Sequence, residues 1–263
     1  MIELFVFSLG AIVGSFLNVV ALRYNSGRSV IRGRSRCFTC GTPLSWRQLI
    51  PIFSFFAQRG KCGKCESKIS WQYPIIEVLT GLMFLFVFLF WGGNGTAFGR
   101  EFPWLFLGRL VYYWAVFSLL IVIALYDFRH QIIPDVFVYS FAFLSFAAIF
   151  FETGQLWPGL MNRFLSGIAF FSFFALVWFL SDGKGMGFGD AKLALGIGFL
   201  LGPIKGLVAI LIGFWSGAIA GLLLLILAKK RYNMKSRVAF GPFLIFGTMV
   251  AFWFGDAIIG LYI

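Results

Sequence analysis

Charge is scarce in this chain of 263 residues. Asp, Glu, Lys and Arg make up 12% of it, against about 25% in ordinary soluble domains. Acids number ten and histidine one. Hydrophobic residues reach 60% and mean hydropathy is +0.91, which excludes an ordinary soluble domain. The formal charge of +12 would suggest nucleic acid on a soluble protein. Here the placement of charge says more than its sum, and no nucleic-acid partner is expected. With His130 as the only histidine, no H-E-x-x-H helix exists and metalloprotease chemistry lacks its ligands. No Ser or Cys nucleophile signature accompanies His130, so serine and cysteine protease readings also lack parts. No Gly-rich nucleotide fingerprint, internal repeat or low-complexity linker stands out. The N-terminus carries Glu3 rather than a basic n-region, ahead of an apolar run too long for a signal h-region. It reads as a retained first span.

Long apolar runs dominate what is present. A bilayer span needs about 17–25 residues. Candidates are Ile2–Leu22, Ile75–Trp91, Leu110–Tyr126, Val136–Phe151, Phe164–Leu180, Leu193–Leu201, Leu207–Ala228 and Phe243–Leu261. The sixth is short; it either includes Gly202-Pro203 and tilts, or joins the seventh as a broken hairpin. With both termini outside, the inside segments Arg23–Pro74, Asp127–Asp135, Ser181–Lys192 and Lys229–Arg237 hold 18 of the 22 basic residues. Arg100, Arg109, Arg163 and Lys205 are the other four. This asymmetry fits the positive-inside rule. The expected fold is an all-α polytopic membrane protein of about eight transmembrane helices, with Asp127 and Asp190 at the same, cytoplasmic, face. Phenylalanine, at 36 residues, suits lipid-facing and interfacial positions.

All four cysteines lie in the one long polar loop. They form Cys37-x2-Cys40-x21-Cys62-x2-Cys65. Paired thiolates at this spacing suit a tetrahedral metal, and structural zinc is expected. A reducing cytoplasm disfavours disulfides. Metal binding would supply folding energy that so small a loop cannot draw from a core. Four cysteine ligands leave no open position for catalysis. Ten basic residues against the one acid Glu66 in Arg23–Pro74 also favour an anionic membrane surface, although membrane topogenesis explains most of that bias.

The acids carry the functional signal. Asp190 ends Gly185-Met186-Gly187-Phe188-Gly189-Asp190. An ionisable residue at the mouth of a span is costly and suggests a functional site. It can also N-cap a helix starting at Ala191. Asp127 ends another apolar run, and the two are the expected catalytic pair. Two aspartates in a partly dry site can share a proton and activate water. Asp135, after Ile133-Pro134, reads as a cap of the fourth span and a supporting residue. Asp182 reads as a solvated Ser-Asp-Gly turn.

These residues together resemble the type IV prepilin leader peptidases, the aspartic GxGD membrane proteases. The resemblance rests on Gly187-x-Gly189-Asp190-Ala191-Lys192-Leu193, with Asp127 and Ile133-Pro134-Asp135 upstream. It extends to Gly14-Ser15-Phe16-Leu17-Asn18-Val19-Val20 with Arg23, the cysteine pairs, Ile50-Pro51-Ile52, Tyr73–Gly81 and Phe240-Gly241-Pro242-Phe243. It implies a bacterial inner-membrane endopeptidase that cuts a short basic leader from prepilins or pseudopilins on the cytoplasmic side, after glycine and usually before phenylalanine. It implies N-methylation of the new terminus with S-adenosylmethionine, an activity associated with the cytoplasmic loop. Catalysis carries over to Asp127 and Asp190, with Gly187, Gly189, Lys192 and Asp135 as motif or supporting residues. Residues 1–22 would be the first span, 23–74 the zinc-binding methyltransferase loop, and 75–263 the peptidase core. Gly60 is a candidate for close cofactor approach. Family members often carry an acid where this chain has Lys184; a cation there favours ionised carboxylates. The competing readings are a peptidase without methyl transfer and a proton-coupled transporter. Transporters often show inverted repeats and midplane charges, which this chain lacks.

Overall fold

The computed structural model describes residues 1–92, 103–152, 158–227 and 239–260. Lys229–Arg237, with five of the basic residues counted above, lies outside the described residues, as does Arg100. The described chain is helical: α1 (Ile2–Arg23), α2 (Phe53–Ala57), α3 (Gln72–Gly92), α4 (Pro103–His130), α5 (Asp135–Glu152), α6 (Pro158–Leu180), α7 (Phe188–Leu227) and α8 (Gly241–Gly260). A 3₁₀ turn covers Trp46–Leu49. Helices α4 and α6 open on proline, whose missing N–H costs nothing at a first turn. Among the described residues, six helices are long and apolar enough to cross a membrane. The apolar part of α5, Asp135–Ala147, is shorter. The chain forms two compact units, Met1–Val122 and Ile123–Ile263.

In the first unit α1 and α3 run antiparallel at very close range. A Cβ on Gly10 would stand 2.8 Å from Thr80 O, and one on Gly14 would stand 2.9 Å from Ile76 O. Lipid gives helices no hydrophobic reason to associate, so small residues that admit a neighbouring backbone carry the packing. The Phe84 ring stacks on Trp114 of α4, with centroids 4.7 Å apart, and the Trp114 indole donates to Phe84 O at 3.1 Å.

In the second unit α7 resolves the ambiguity over the sixth and seventh apolar runs. Its 40 residues would reach about 60 Å as one rod, twice a hydrocarbon core of about 30 Å. It does not run straight. Phe188 packs on Trp178 at 5.0 Å, and Arg163 Nη1 donates to Leu200 O at 3.2 Å, so residues 188–201 descend antiparallel to α6. Phe214 then stacks on Phe174 at 5.9 Å, and the Phe170 ring lies 2.5 Å from where a Gly206 Cβ would sit. The second leg therefore climbs back parallel to α6. The turn is Gly202, at φ 75° and ψ −168°, a region open essentially to glycine alone. Pro203 follows and cannot continue the hydrogen-bond ladder. The broken hairpin is the correct alternative. With α7 counted as two legs, the eight apolar runs correspond to eight helical segments of the described chain.

The second leg packs on α8 almost backbone to backbone. A Gly247 Cβ would fall 2.1 Å from Ala209 O, whereas one on Gly221 would meet nothing within 4 Å. Gly247→Ala is expected to lower stability by about 1–3 kcal/mol or more through overpacking. Gly221→Ala is expected to raise it by up to about 1 kcal/mol through helix propensity. Thermal unfolding of the two variants in detergent, read side by side, checks the opposite signs.

Candidate functional site

Asp190 lies in the first turn of α7 and is 6% exposed. The helix starts at Phe188, so Asp190 is its third residue and not the cap that the sequence suggested. Its amide donates to Gly187 O at 3.1 Å. Its Oδ2 reaches back to accept the Gly187 N–H at 3.2 Å. An acid at this position satisfies an otherwise orphaned donor and meets the positive end of the helix dipole.

Asp127 lies in the last turn of α4 and is 4% exposed. Its Oδ2 accepts the Gly241 N–H at 3.0 Å. That donor opens α8, where the first amides of a helix have no intrahelical acceptor. Pro242 follows in the first turn. A Cβ on Gly241 would stand 2.6 Å from Asp127 Oδ2, so only glycine lets the backbone reach this carboxylate. The sequence marks Gly241-Pro242 as a helix start, yet nothing local says which acid its amide meets, 114 residues away.

Ile133 joins the two acids. Its Cβ lies 2.8 Å from where a Gly189 Cβ would be, and its Cδ1 lies 3.2 Å from where a Gly241 Cβ would be. The side chain packs against the turn carrying Asp190 on one side and against the donor to Asp127 on the other. Among the described residues neither acid is paired with a cation. Each uses one oxygen on a backbone N–H and keeps the other for further chemistry.

The remaining polar residues stand apart from this pair. Asp135 begins α5 with its side chain 64% exposed and ion-paired to Lys192 Nζ at 2.6 Å. The backbone of Pro134, not Asp135, accepts the Val138 amide and so holds the cap position. The Lys192 ammonium also lies over the rings of Tyr139, at 5.2 Å, and Phe188, at 5.3 Å. Lys192 and Asp135 thus tie α5 to the first leg of α7 beside the acids. Asp182, at φ 49°, and Lys184 are exposed on the turn before α7. His130 is exposed and stacks on Tyr126 at 4.4 Å.

The first unit brings the four cysteines together. Their Sγ atoms all lie within 4.8 Å of one another, and those of Cys37 and Cys65 are 3.8 Å apart. Tetrahedral zinc with bonds of about 2.3 Å places its sulfurs about 3.8 Å apart, so the residues fit that ion. The two Cys-x-x-Cys segments are near copies. Gly41 N donates to Cys37 O as Glu66 N does to Cys62 O, both at 2.9 Å. Gly41 (φ 70°) and Glu66 (φ 56°) take the same left-handed place. Hydrogen bonds from the Cys40 backbone and the Ser67 hydroxyl bring the Cys37 thiol down to about 5, ready to ligate as thiolate. Gly60, at φ 66°, has the Phe55 ring 3.2 Å from its missing Cβ.

Comparison with known proteins agrees along the chain. Residues 8–91 match the model of the bacterial peptidase A24 N-terminal domain, and residues 114–225 match the type IV leader peptidase family. The chain is 34% identical to the prepilin leader peptidase/N-methyltransferase of Bacillus subtilis, over 98% of its own length and 96% of that protein. It is 33% identical to the protein of that name in Myxococcus xanthus, over 88% of its length and 65% of that one. With the Neisseria gonorrhoeae protein identity is 31%, over 95% and 90%. No solved structure matches. Two acids held by backbone amides at the ends of apolar helices, a four-cysteine cluster in the preceding loop, and likeness over nearly the full length place this multi-pass membrane chain in the type IV leader peptidase family, with the prepilin leader peptidases/N-methyltransferases.

Proposed function

We propose that this chain removes the leader peptide of type IV prepilins or pseudopilins with Asp127 and Asp190 as its acid–base pair, and then methylates the new N-terminal amine. The observation that carries this reading is the burial of both acids, at 4% and 6% exposure, each on a backbone N–H and, among the described residues, neither ion-paired with a cation. Two such carboxylates share one proton more cheaply than they hold two charges. The ionised member takes a proton from a bound water as its oxygen attacks the scissile carbonyl. The protonated member donates to the oxyanion that forms. When the intermediate collapses, the proton passes to the departing amine. No covalent intermediate is required. Gly187 and Gly241 fix the orientation of the two carboxylates, and Lys192 with Asp135 braces the helix that carries Asp190.

The four cysteines hold zinc in this reading, and the metal cross-links the two turns of the loop. Residues 23–74, with Gly60 beside the second cysteine pair, serve methyl transfer, and residues 75–263 form the peptidase core. S-adenosylmethionine supplies the methyl group as a second substrate. The 18 basic residues of the inside segments orient the loop and the aspartates to the cytoplasm of a bacterial inner membrane.

Prepilin processing in membranes tests the pair. Asp127→Asn and Asp190→Asn are each expected to lower cleavage about a hundredfold or more; full retention in either variant removes that residue from the chemistry. Gly241→Ala, whose Cβ would lie 2.6 Å from Asp127 Oδ2, is expected to slow cleavage about tenfold or more by displacing the carboxylate. Mass spectrometry of the mature substrate, with the methyl donor supplied, should find a terminus one methyl group heavier; an unmodified terminus leaves a peptidase alone. Elemental analysis is expected to find one zinc per chain, and its loss in Cys40→Ser.

A further inference from the structure

The first unit buries a third carboxylate that the cleavage chemistry does not use. Glu77 lies in the second turn of α3 and is 6% exposed. A charge inside an apolar span is costly and marks function by default. Its Oε2 accepts the Ile52 N–H at 2.7 Å. No cation accompanies it among the described residues.

Ile52 is the unusual partner. It stands at φ 63° and ψ −58°. A β-branched residue at positive φ is a true outlier, costing about 1–3 kcal/mol, and persists only where its surroundings over-determine it. The short bond to a buried carboxylate supplies that constraint. Immediately after Ile52 the chain enters α2, whose Phe55 is buried. The Phe55 ring lies 3.2 Å from where a Gly60 Cβ would sit and packs on Trp71 at 4.8 Å, next to the start of α3. Gly60 N donates to Phe55 O at 2.8 Å, and Gly60 O accepts from Ile69 N at 2.8 Å, across the turn of Cys62 and Cys65. A continuous series of contacts thus leads from a membrane-span carboxylate to the second cysteine turn.

We propose that Glu77 is the positioning residue for methyl transfer: its carboxylate holds Ile52 at the centre of a strained positive-φ γ-turn, closed by Phe53 N–H donating to Pro51 O at 2.6 Å, and so sets α2, Phe55 and Gly60 in place over the cysteine loop. This rests on the reading that the loop serves methyl transfer. Glu77 need not touch substrate, and cleavage, which the second unit carries, does not depend on it. An oxygen acceptor is what the device requires, whereas a charge is not.

The test uses the full-length protein in lipid nanodiscs, with cleavage and methylation of one prepilin measured in the same samples. Glu77→Ala is expected to lower methylation about tenfold or more, as befits loss of a buried hydrogen-bond acceptor, with cleavage within about twofold of wild type. Glu77→Gln keeps an acceptor for Ile52 and should restore most of the methylation. Ile52→Gly, added to Glu77→Ala, should restore part of it, because glycine reaches positive φ without strain. Peptide-level hydrogen exchange over residues 50–60 should rise in Glu77→Ala and fall back in both rescue variants. The proposal is overturned if Gln fails as badly as Ala while exchange stays at the wild-type level, since the charge itself would then be required. Equal loss of cleavage and methylation in all three variants, or unchanged exchange in Glu77→Ala, also overturns it. If the wild type cleaves but never methylates, the methyl-transfer reading falls, and the exchange arm still decides whether Glu77 holds Ile52.

Discussion

The proposed cleavage chemistry depends on keeping carboxylates inside apolar helices without a cation bound to them. Among the described residues the buried acids are Glu77, Asp127 and Asp190. Each accepts a backbone N–H: from Ile52 at 2.7 Å, from Gly241 at 3.0 Å, and from Gly187 at 3.2 Å. A backbone donor stabilises a carboxylate but cannot neutralise it, and it cannot swing away as a lysine can. In the proposed mechanism an Arg or Lys in the same place would hold both aspartates ionised and remove the shared proton on which water activation would rely. Lys192, the cation beside the site, is paired elsewhere: Asp135 holds its ammonium at 2.6 Å.

The backbone can serve as donor only where side chains are absent. Gly241 admits the main chain to Asp127, with a would-be Cβ 2.6 Å from the carboxylate. Gly189 seats Ile133, and Ile133 also reaches Gly241. The same economy of size packs the helices that carry the acids. Gly198 lies against the backbone of Gly167, and Gly247 against that of Ala209. Packing in lipid and chemistry at the span ends therefore draw on one property, close backbone approach.

Much of this was legible in the sequence, for physical reasons that differ by element. Span existence was plain, because apolar length is dictated by bilayer thickness. The cysteine cluster was plain because a metal fixes ligand spacing. Asp127 and Asp190 stood out because a charge beside an apolar run is expensive. Gly202 was harder. Its run was too short to span alone, and only packing against α6 on both legs shows that the chain reverses there. Asp190 as a cap was a reasonable reading of Gly-Asp-Ala, yet the helix begins two residues earlier, since Asp190 can serve Gly187 from inside the first turn. The donors to Asp127 and Glu77 were invisible, lying 114 and 25 residues away. Local pattern carries no information about such pairings.

If Asp127 and Asp190 cleave the leader as proposed, their placement reconciles burial with hydrolysis. Cleavage needs water, and a carboxylate at mid-bilayer would meet little. Asp127 lies three residues before the end of α4 and Asp190 two residues into α7. Both are buried by protein at helix termini, where the backbone is not fully engaged in its own ladder. A helix end is the one part of an apolar span with amides to spare for a carboxylate. It is also the part from which a peptide bond, unwound from its own helix, can meet an activated water. In the proposed mechanism, burial at a terminus supplies the dry surroundings two paired acids need while keeping them at the end of a span.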